Sequence, residues 1–131
     1  MDALIGRMLV KVERLGWHQA GDLDDVSVGP VHLLFEGERG LLLAGRTDWS
    51  LNLTETCTAD RTWLDAYDYD WYGSRWVLRD ASSEPPFAPV IAKPLRAVQP
   101  VLNQVNEVTG LELSFAGHVL TLETREGEVT T

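Results

Sequence analysis

The sequence predicts a strand-dominated α+β fold made of two similar antiparallel β-meanders, and three observations carry that expectation. Apolar residues alternate with polar ones in short runs, as at Val31, Leu33, Phe35 and again at Leu41 and Leu43. Turn-forming segments such as "EGERG" separate those runs, which is the pattern of a hairpin. The third observation is that landmarks near the N-terminus recur near the C-terminus. "LIGRMLVKV" (4–12) lies over "VIAKPLRAV" (90–98), "VHLLFEG" (31–37) over "LELSFAG" (111–117), and "LLL" (41–43) over "LTL" (120–122). Order and phase are kept across the landmarks, which predicts an internal duplication with a pseudo-twofold between the copies.

Each element follows from its residues. Leu4, Ile5, Met8, Leu9, Val12 and Leu15 form a helical stripe, but the matching second-copy stretch contains Pro94 and Pro100, which no continuous helix accommodates. A short helical turn followed by a strand suits both copies. A hairpin over 31–43 and a third strand over 49–55 complete the first meander. Residues 56–67 are expected to form a short helix, 74–80 a strand, and the proline-rich 81–89 a connector. The second copy repeats the hairpin with a tighter turn at Gly117 and ends in a short strand over 127–131. The organisation is a single domain over 1–131, with repeat 1 at about 4–55, a connecting segment at 56–89 and repeat 2 at about 90–131.

Composition narrows the function. A chain of 131 residues is long enough to bury a self-sufficient core. No apolar run approaches the roughly 18 residues that a membrane span requires. The N-terminal stretch carries Asp2, Arg7, Lys11, Glu13 and Arg14, so no secretory apolar segment is expected and a cytoplasmic location is. A net charge of −9 with 11 scattered Lys and Arg argues against nucleic-acid binding, which needs clustered cations. Cys57 is the single cysteine, so no internal disulfide can form.

The sequence offers no catalytic constellation, cofactor motif or metal-ligand spacing, and no enzyme is expected. Nothing couples Cys57 to His18, His32 or His118. Cys57 reads as a small apolar filler, while His32, on the polar phase of its strand, and His118, in a turn, read as surface residues. Asp22, Asp24 and Asp25 lack the spacing of a calcium loop. Glu126 and Glu128 would do acid-base work only if a cleft gathered a further carboxylate.

The segment from 89 to 124 resembles a group of short bacterial proteins of unassigned function, with Ile91, Lys93, Leu95, Asn103, Leu111, Leu113 and Phe115 at the matching positions. Ala92 stands where that pattern has glycine. Such proteins look like small acidic immunity proteins that accompany secreted toxins, so the resemblance implies a protein partner of the kind of a basic toxin domain.

One stretch stands apart: "DAYDYDWYGSRW" (65–76). All three tyrosines and three of the five tryptophans fall between 63 and 76. As an extended strand it would place Tyr67, Tyr69 and Trp71 on one side and Asp68, Asp70 and Tyr72 on the other. Packing in the core is one reading. The other is a partner-binding surface of Asp65, Tyr67, Asp68, Tyr69, Asp70, Trp71 and Tyr72, since rings dominate interface hot spots and carboxylates meet basic partners. The expected function is thus a small acidic binding protein of immunity type. The alternatives are an accessory subunit assembling through its sheet edges, and a ligand binder or enzyme with a cleft between the repeats.

Overall fold

The computed structural model describes residues 2–19, 28–46, 48–125 and 128–131. Asp22, Asp24, Asp25 and Glu126 lie outside the described residues, as does Gly127 at the start of the expected last strand. Two antiparallel sheets make up the fold. The larger contains β1 (Leu9–His18), β2 (Val31–Phe35), β3 (Arg39–Gly45), β4 (Leu51–Cys57), β5 (Asp70–Trp71) and β6 (Ser74–Asp80), in the order β4-β3-β2-β1-β6-β5. The smaller contains β7 (Leu95–Leu102), β8 (Val108–Phe115), β9 (His118–Arg125) and β10 (Glu128–Thr130), in the order β10-β9-β8-β7.

Among the described residues the helical component is three 3-10 turns, Asp2–Leu4, Thr62–Tyr67 and Ala88–Val90. Strands dominate as expected, and the helical share is smaller than the α+β label implies. The expected helix over 56–67 shrinks because β4 stays extended through Cys57, and of the ten residues left only the six from Thr62 to Tyr67 coil, too few to repay α-helix nucleation. Asp60 starts the turn instead, its carboxylate accepting the Thr62 amide at 3.0 Å and the Thr62 hydroxyl at 2.7 Å.

Local registers correspond between the sheets. Leu9 pairs with Phe35 and Lys11 with Leu34 across a bulge, while Leu95 pairs with Phe115 and Ala97 with Ser114 across another. Beyond each bulge Val12 faces Leu33 and Val98 faces Leu113. The extra bulge residue shifts the alternation by one, so Leu9 and Val12, three apart, both reach the core, as Leu95 and Val98 do. Pro100 is tolerated because β7 is an edge strand, whose outer amides have no ladder partner to lose.

The sheets meet at a seam between the segments that lead into β1 and β7. The Gly6 amide donates to the Leu95 carbonyl at 2.7 Å and the Ala92 amide to the Leu9 carbonyl at 2.7 Å. Leu9 in turn donates to Lys93 at 3.1 Å and Leu95 to Arg7 at 2.9 Å, with Met8 opposite Pro94 between them. Gly6 and Ala92 both have positive φ, +87° and +65°, the turn each segment needs to present its amide across the seam.

One apolar cluster lies between the sheets. Leu33, Phe35, Leu41, Leu43, Leu95, Leu113, Phe115, Leu120 and Leu122 are all buried in it, as their strand phase predicts. Phe87 from the connector and Val90 from the third 3-10 turn close its end. We expect Phe35→Ala and Phe115→Ala each to cost about 3–5 kcal/mol in a denaturant titration. An unchanged midpoint in both variants would contradict the packing described.

Candidate recognition surface

The core uses one face of the large sheet, and the connecting segment covers the other. Leu15, Leu34 and Leu42 are buried but lie outside the main cluster, on that second face. Over it runs the 3-10 turn Thr62–Tyr67, followed by the β5–β6 hairpin. Tyr72 and Gly73 form the two-residue hairpin turn with φ of +51° and +87°, matching the twist of the flanking strands. The Asp70 carboxylate accepts the Gly73 amide at 2.6 Å and fixes the turn.

A file of rings lies on this face. His32 meets Trp63 (centroids 5.2 Å apart), Trp63 meets Tyr67 (6.3 Å), Tyr67 meets Trp76 (5.8 Å), and Trp76 meets Trp17 (5.2 Å). Tyr69 lies 6.2 Å from Trp17, and its hydroxyl accepts the Trp76 indole N–H at 2.9 Å. These tilted and edge-on geometries are the favourable ones for aromatic quadrupoles. Burial, reinforced by the charge of Glu128, pushes the Tyr67 phenol above its ordinary value.

The stretch is therefore not one extended strand with rings on one side and acids on the other. Residues 62–67 coil, which points Tyr67 at the sheet. The hairpin pairing ends at Asp70–Arg75, which frees Tyr69 to turn onto Trp76. Trp63, Tyr67 and Trp76 are half-buried, whereas Tyr69 is 50% exposed, Trp71 64% and Tyr72 89%. Trp71 and Tyr72 pack edge to face at the hairpin tip, 5.4 Å apart. Asp65, Asp68 and Asp70 are exposed beside them. Among the expected partner-binding residues, Tyr67 alone is half-buried; the other six face solvent.

A groove of about 680 Å³ runs between this segment and β6, with Leu15, Tyr67 and Trp76 among its lining and Asp65, Asp68 and Asp70 along its rim. A smaller hollow of about 290 Å³ lies on the other side of Tyr69, against Trp17 and Glu128.

Beneath the start of the segment sits a polar cluster the sequence did not disclose. His32, expected at the surface, is fully buried. Its strand has two covered faces, so the polar phase of the alternation does not lead to solvent. His32 Nε2 and Thr56 Oγ1 share a hydrogen bond of 2.6 Å, and Nδ1 stands 3.8 Å from the Glu13 carboxylate. Glu13 is itself buried and accepts from Arg61 Nη1 at 2.6 Å, with Lys11 Nζ at 3.7 Å from its other oxygen. Gly40 makes room, because a Cβ there would lie 2.5 Å from Thr56 Oγ1 and 2.8 Å from His32 Nε2. The cluster pins the connecting segment to the sheet through Arg61 and Trp63. Its signals were Glu13 amid the apolar residues of 9–15 and His32 inside "VHLLF". Trp17, outside the aromatic stretch, was also missed.

Cys57, expected as a buried filler, is exposed, since it closes β4 at the edge of the large sheet. His118 is exposed at the start of β9. Among the described residues no group of three or more His, Cys, Asp or Glu side chains is placed to hold a metal ion, and no helix is long and apolar enough to cross a membrane. A scan against protein-family models found no match, and searches of curated proteins and of solved structures also found none.

The buried histidine makes stability depend on pH. Burial holds the His32 imidazole below its ordinary value, an effect only partly offset by Glu13. Below about pH 6.5 the unfolded chain takes up a proton that folded His32 refuses, so its contribution to stability falls as pH drops through that value. The carboxylates whose values are lowered, such as Asp60, act only in the more acidic range. We expect the thermal midpoint to fall between pH 7 and pH 5 and His32→Gln to flatten that slope. Identical slopes for the two proteins would contradict the assignment.

Proposed function

We propose that this chain is a small, acidic, non-catalytic binding protein of the cytoplasm, and specifically an immunity protein that neutralises a bacterial toxin by occluding it. The observation that carries this reading is the exposure of Tyr69, Trp71 and Tyr72 beside Asp65, Asp68 and Asp70, on the 3-10 turn and the hairpin that follows it. Tryptophan and tyrosine are the residues most enriched among interface hot spots, and a large ring left 89% exposed gains nothing from folding. The carboxylates supply what a basic partner needs, namely long-range attraction and a penalty for acidic competitors. The half-buried Trp76 beneath donates its indole N–H to the Tyr69 hydroxyl and holds that ring in place, which lowers the ordering cost of binding.

We also propose that the two meanders are copies of one unit related by a pseudo-twofold passing near Met8 and Pro94. The crossed hydrogen bonds of the seam support it, because Gly6 to Leu95 becomes Ala92 to Leu9 when the copies are exchanged. The shared bulge positions and the 3-10 turn before β1 and before β7 support it too.

A second reading, an accessory subunit that assembles through its sheet edges, draws on Val101, Leu102 and Val105 at the end of edge strand β7, which are 38%, 52% and 68% exposed. A ligand or catalytic cleft between the meanders has the least support, since Leu9 and Leu95 fill the seam and both are fully buried.

The test is association with the partner recovered from the source organism. We expect Trp71→Ala/Tyr72→Ala to weaken binding by roughly 30-fold or more, the scale of a hot-spot pair. Asp65→Lys/Asp68→Lys should slow association by about tenfold at low salt and less at high salt, with thermal stability nearly unchanged. Asp70 is left intact because it fixes the hairpin turn. Unaltered affinity and rates in both variants would contradict the reading.

A further inference from the structure

The large sheet ends in a strand that is only partly covered. β5 pairs with β6 at Ser74 and Arg75 alone, and among the described residues no strand pairs with the outer edge of β6 from Trp76 to Asp80. The Ala81 amide donates to the Val12 carbonyl, so the residues of β6 that bond β1 are Val77 and Arg79. Arg75, opposite His18, is in the same phase as Val77 and Arg79, and the backbone N–H and C=O groups of Trp76 and Leu78 therefore point outward. They point along the groove whose lining includes Trp76, Val77 and Leu78 and whose rim holds Asp65 and Asp68.

We propose that this groove binds an extended basic segment of the partner protein, which adds as a strand to the open edge of β6 and places an arginine or lysine against Tyr67 and Tyr69 between the carboxylates of Asp65 and Asp68. The inference rests on the binding-protein reading above and specifies how the partner docks. Strand addition satisfies the outward backbone groups of Trp76 and Leu78, and the free edge, about five residues long, spans roughly 16 Å, enough for a short strand. The side chains of an added strand alternate between the two faces. Those on the outer face fall over the aromatic floor, where a guanidinium or ammonium group gains both ring and carboxylate contacts. Asp65 and Asp68 are available for this, since among the described residues neither carboxylate has a hydrogen-bond or ion-pair partner. The groove holds three carboxylates, Asp65, Asp68 and Asp70, against one cation, Arg75, and on a protein of net charge −9 that excess selects a basic strand over an acidic one.

The experiment uses the whole chain and three blocked octapeptides, followed by tryptophan fluorescence and backbone amide NMR. The first alternates arginine with valine, the second is the same peptide N-methylated at every other residue, and the third has glutamate in place of arginine. We expect the first peptide to shift the amides of Trp76–Asp80 and of residues 64–70, and the other two to bind at least tenfold more weakly. Asp65→Lys/Asp68→Lys should weaken the first peptide at least tenfold while keeping the wild-type thermal midpoint. Equal binding of the N-methylated peptide would overturn strand addition and leave the acidic-aromatic surface standing. Equal binding of the glutamate peptide would overturn the basic occupant. If no peptide shifts these amides at millimolar concentration while the partner still binds and remains sensitive to Trp71→Ala/Tyr72→Ala, the docking mode fails and the binding-protein reading survives. If the partner is insensitive as well, both fail.

Discussion

Four backbone hydrogen bonds at the seam hold the architecture together. Gly6, Leu9, Ala92 and Leu95 each donate across it, and Leu9 and Leu95 sit at its centre with fully buried side chains. Each segment then leaves the seam, passes one bulge and enters its own sheet, so the seam sets the start and the phase of both β1 and β7. The core residues of both meanders depend on that phase. A strand shifted by one residue would turn its apolar set outward, and the two bulges are where that phase is fixed.

The unequal sizes of the sheets have a functional consequence. β1 is an interior strand, with β2 on one side and β6 on the other, whereas β7, whose register across its first bulge matches that of β1, is an edge. The large sheet thus gains area beyond what the small sheet covers, and its second face carries Leu15, Leu34 and Leu42. Covering that face falls to the connecting segment, through its 3-10 turn Thr62–Tyr67 and the residues that lead into β5. It does so with rings, and polar anchors at Glu13, His32 and Arg61 hold it down. Trp63, Tyr67 and Trp76 are used up in this packing. Tyr69, Trp71 and Tyr72 are left over, together with the acids and one open strand edge, and the proposed binding function draws on that surplus.

Much of the fold was legible because alternation and turn residues report directly on half-buried strands. Val31 to Leu43 and Leu111 to Leu122 read correctly for that reason. The helical stripe from Leu4 to Leu15 has a physical origin as well, since a 3-10 turn followed by a bulged strand also spaces apolar residues by three and four. Pro94 and Pro100 in the matching later stretch resolved the ambiguity. What could not be read was the second covered face. A strand buried on both sides gives its polar phase no route to water, so His32 looked like a surface residue and is not. The short helix expected over 56–67 survives only as the 3-10 turn at 62–67. Tertiary contacts from Arg61 and Trp63, and not propensity, decide its path. In the candidate surface the residues were legible and their division was not, because which rings pack and which project depends on where the hairpin pairing stops.

Native-state hydrogen exchange at individual amides tests the central claim most directly, namely that the seam is the structural anchor and the outer edge of β6 is open. The amides of Gly6, Leu9, Ala92 and Leu95 should exchange only through global unfolding, while those of Trp76 and Leu78 exchange fast although their strand neighbours Val77 and Arg79 are protected. Trp76 and Leu78 as slow as Val77 and Arg79, or seam amides exchanging as fast as those of the β8–β9 turn, would contradict it.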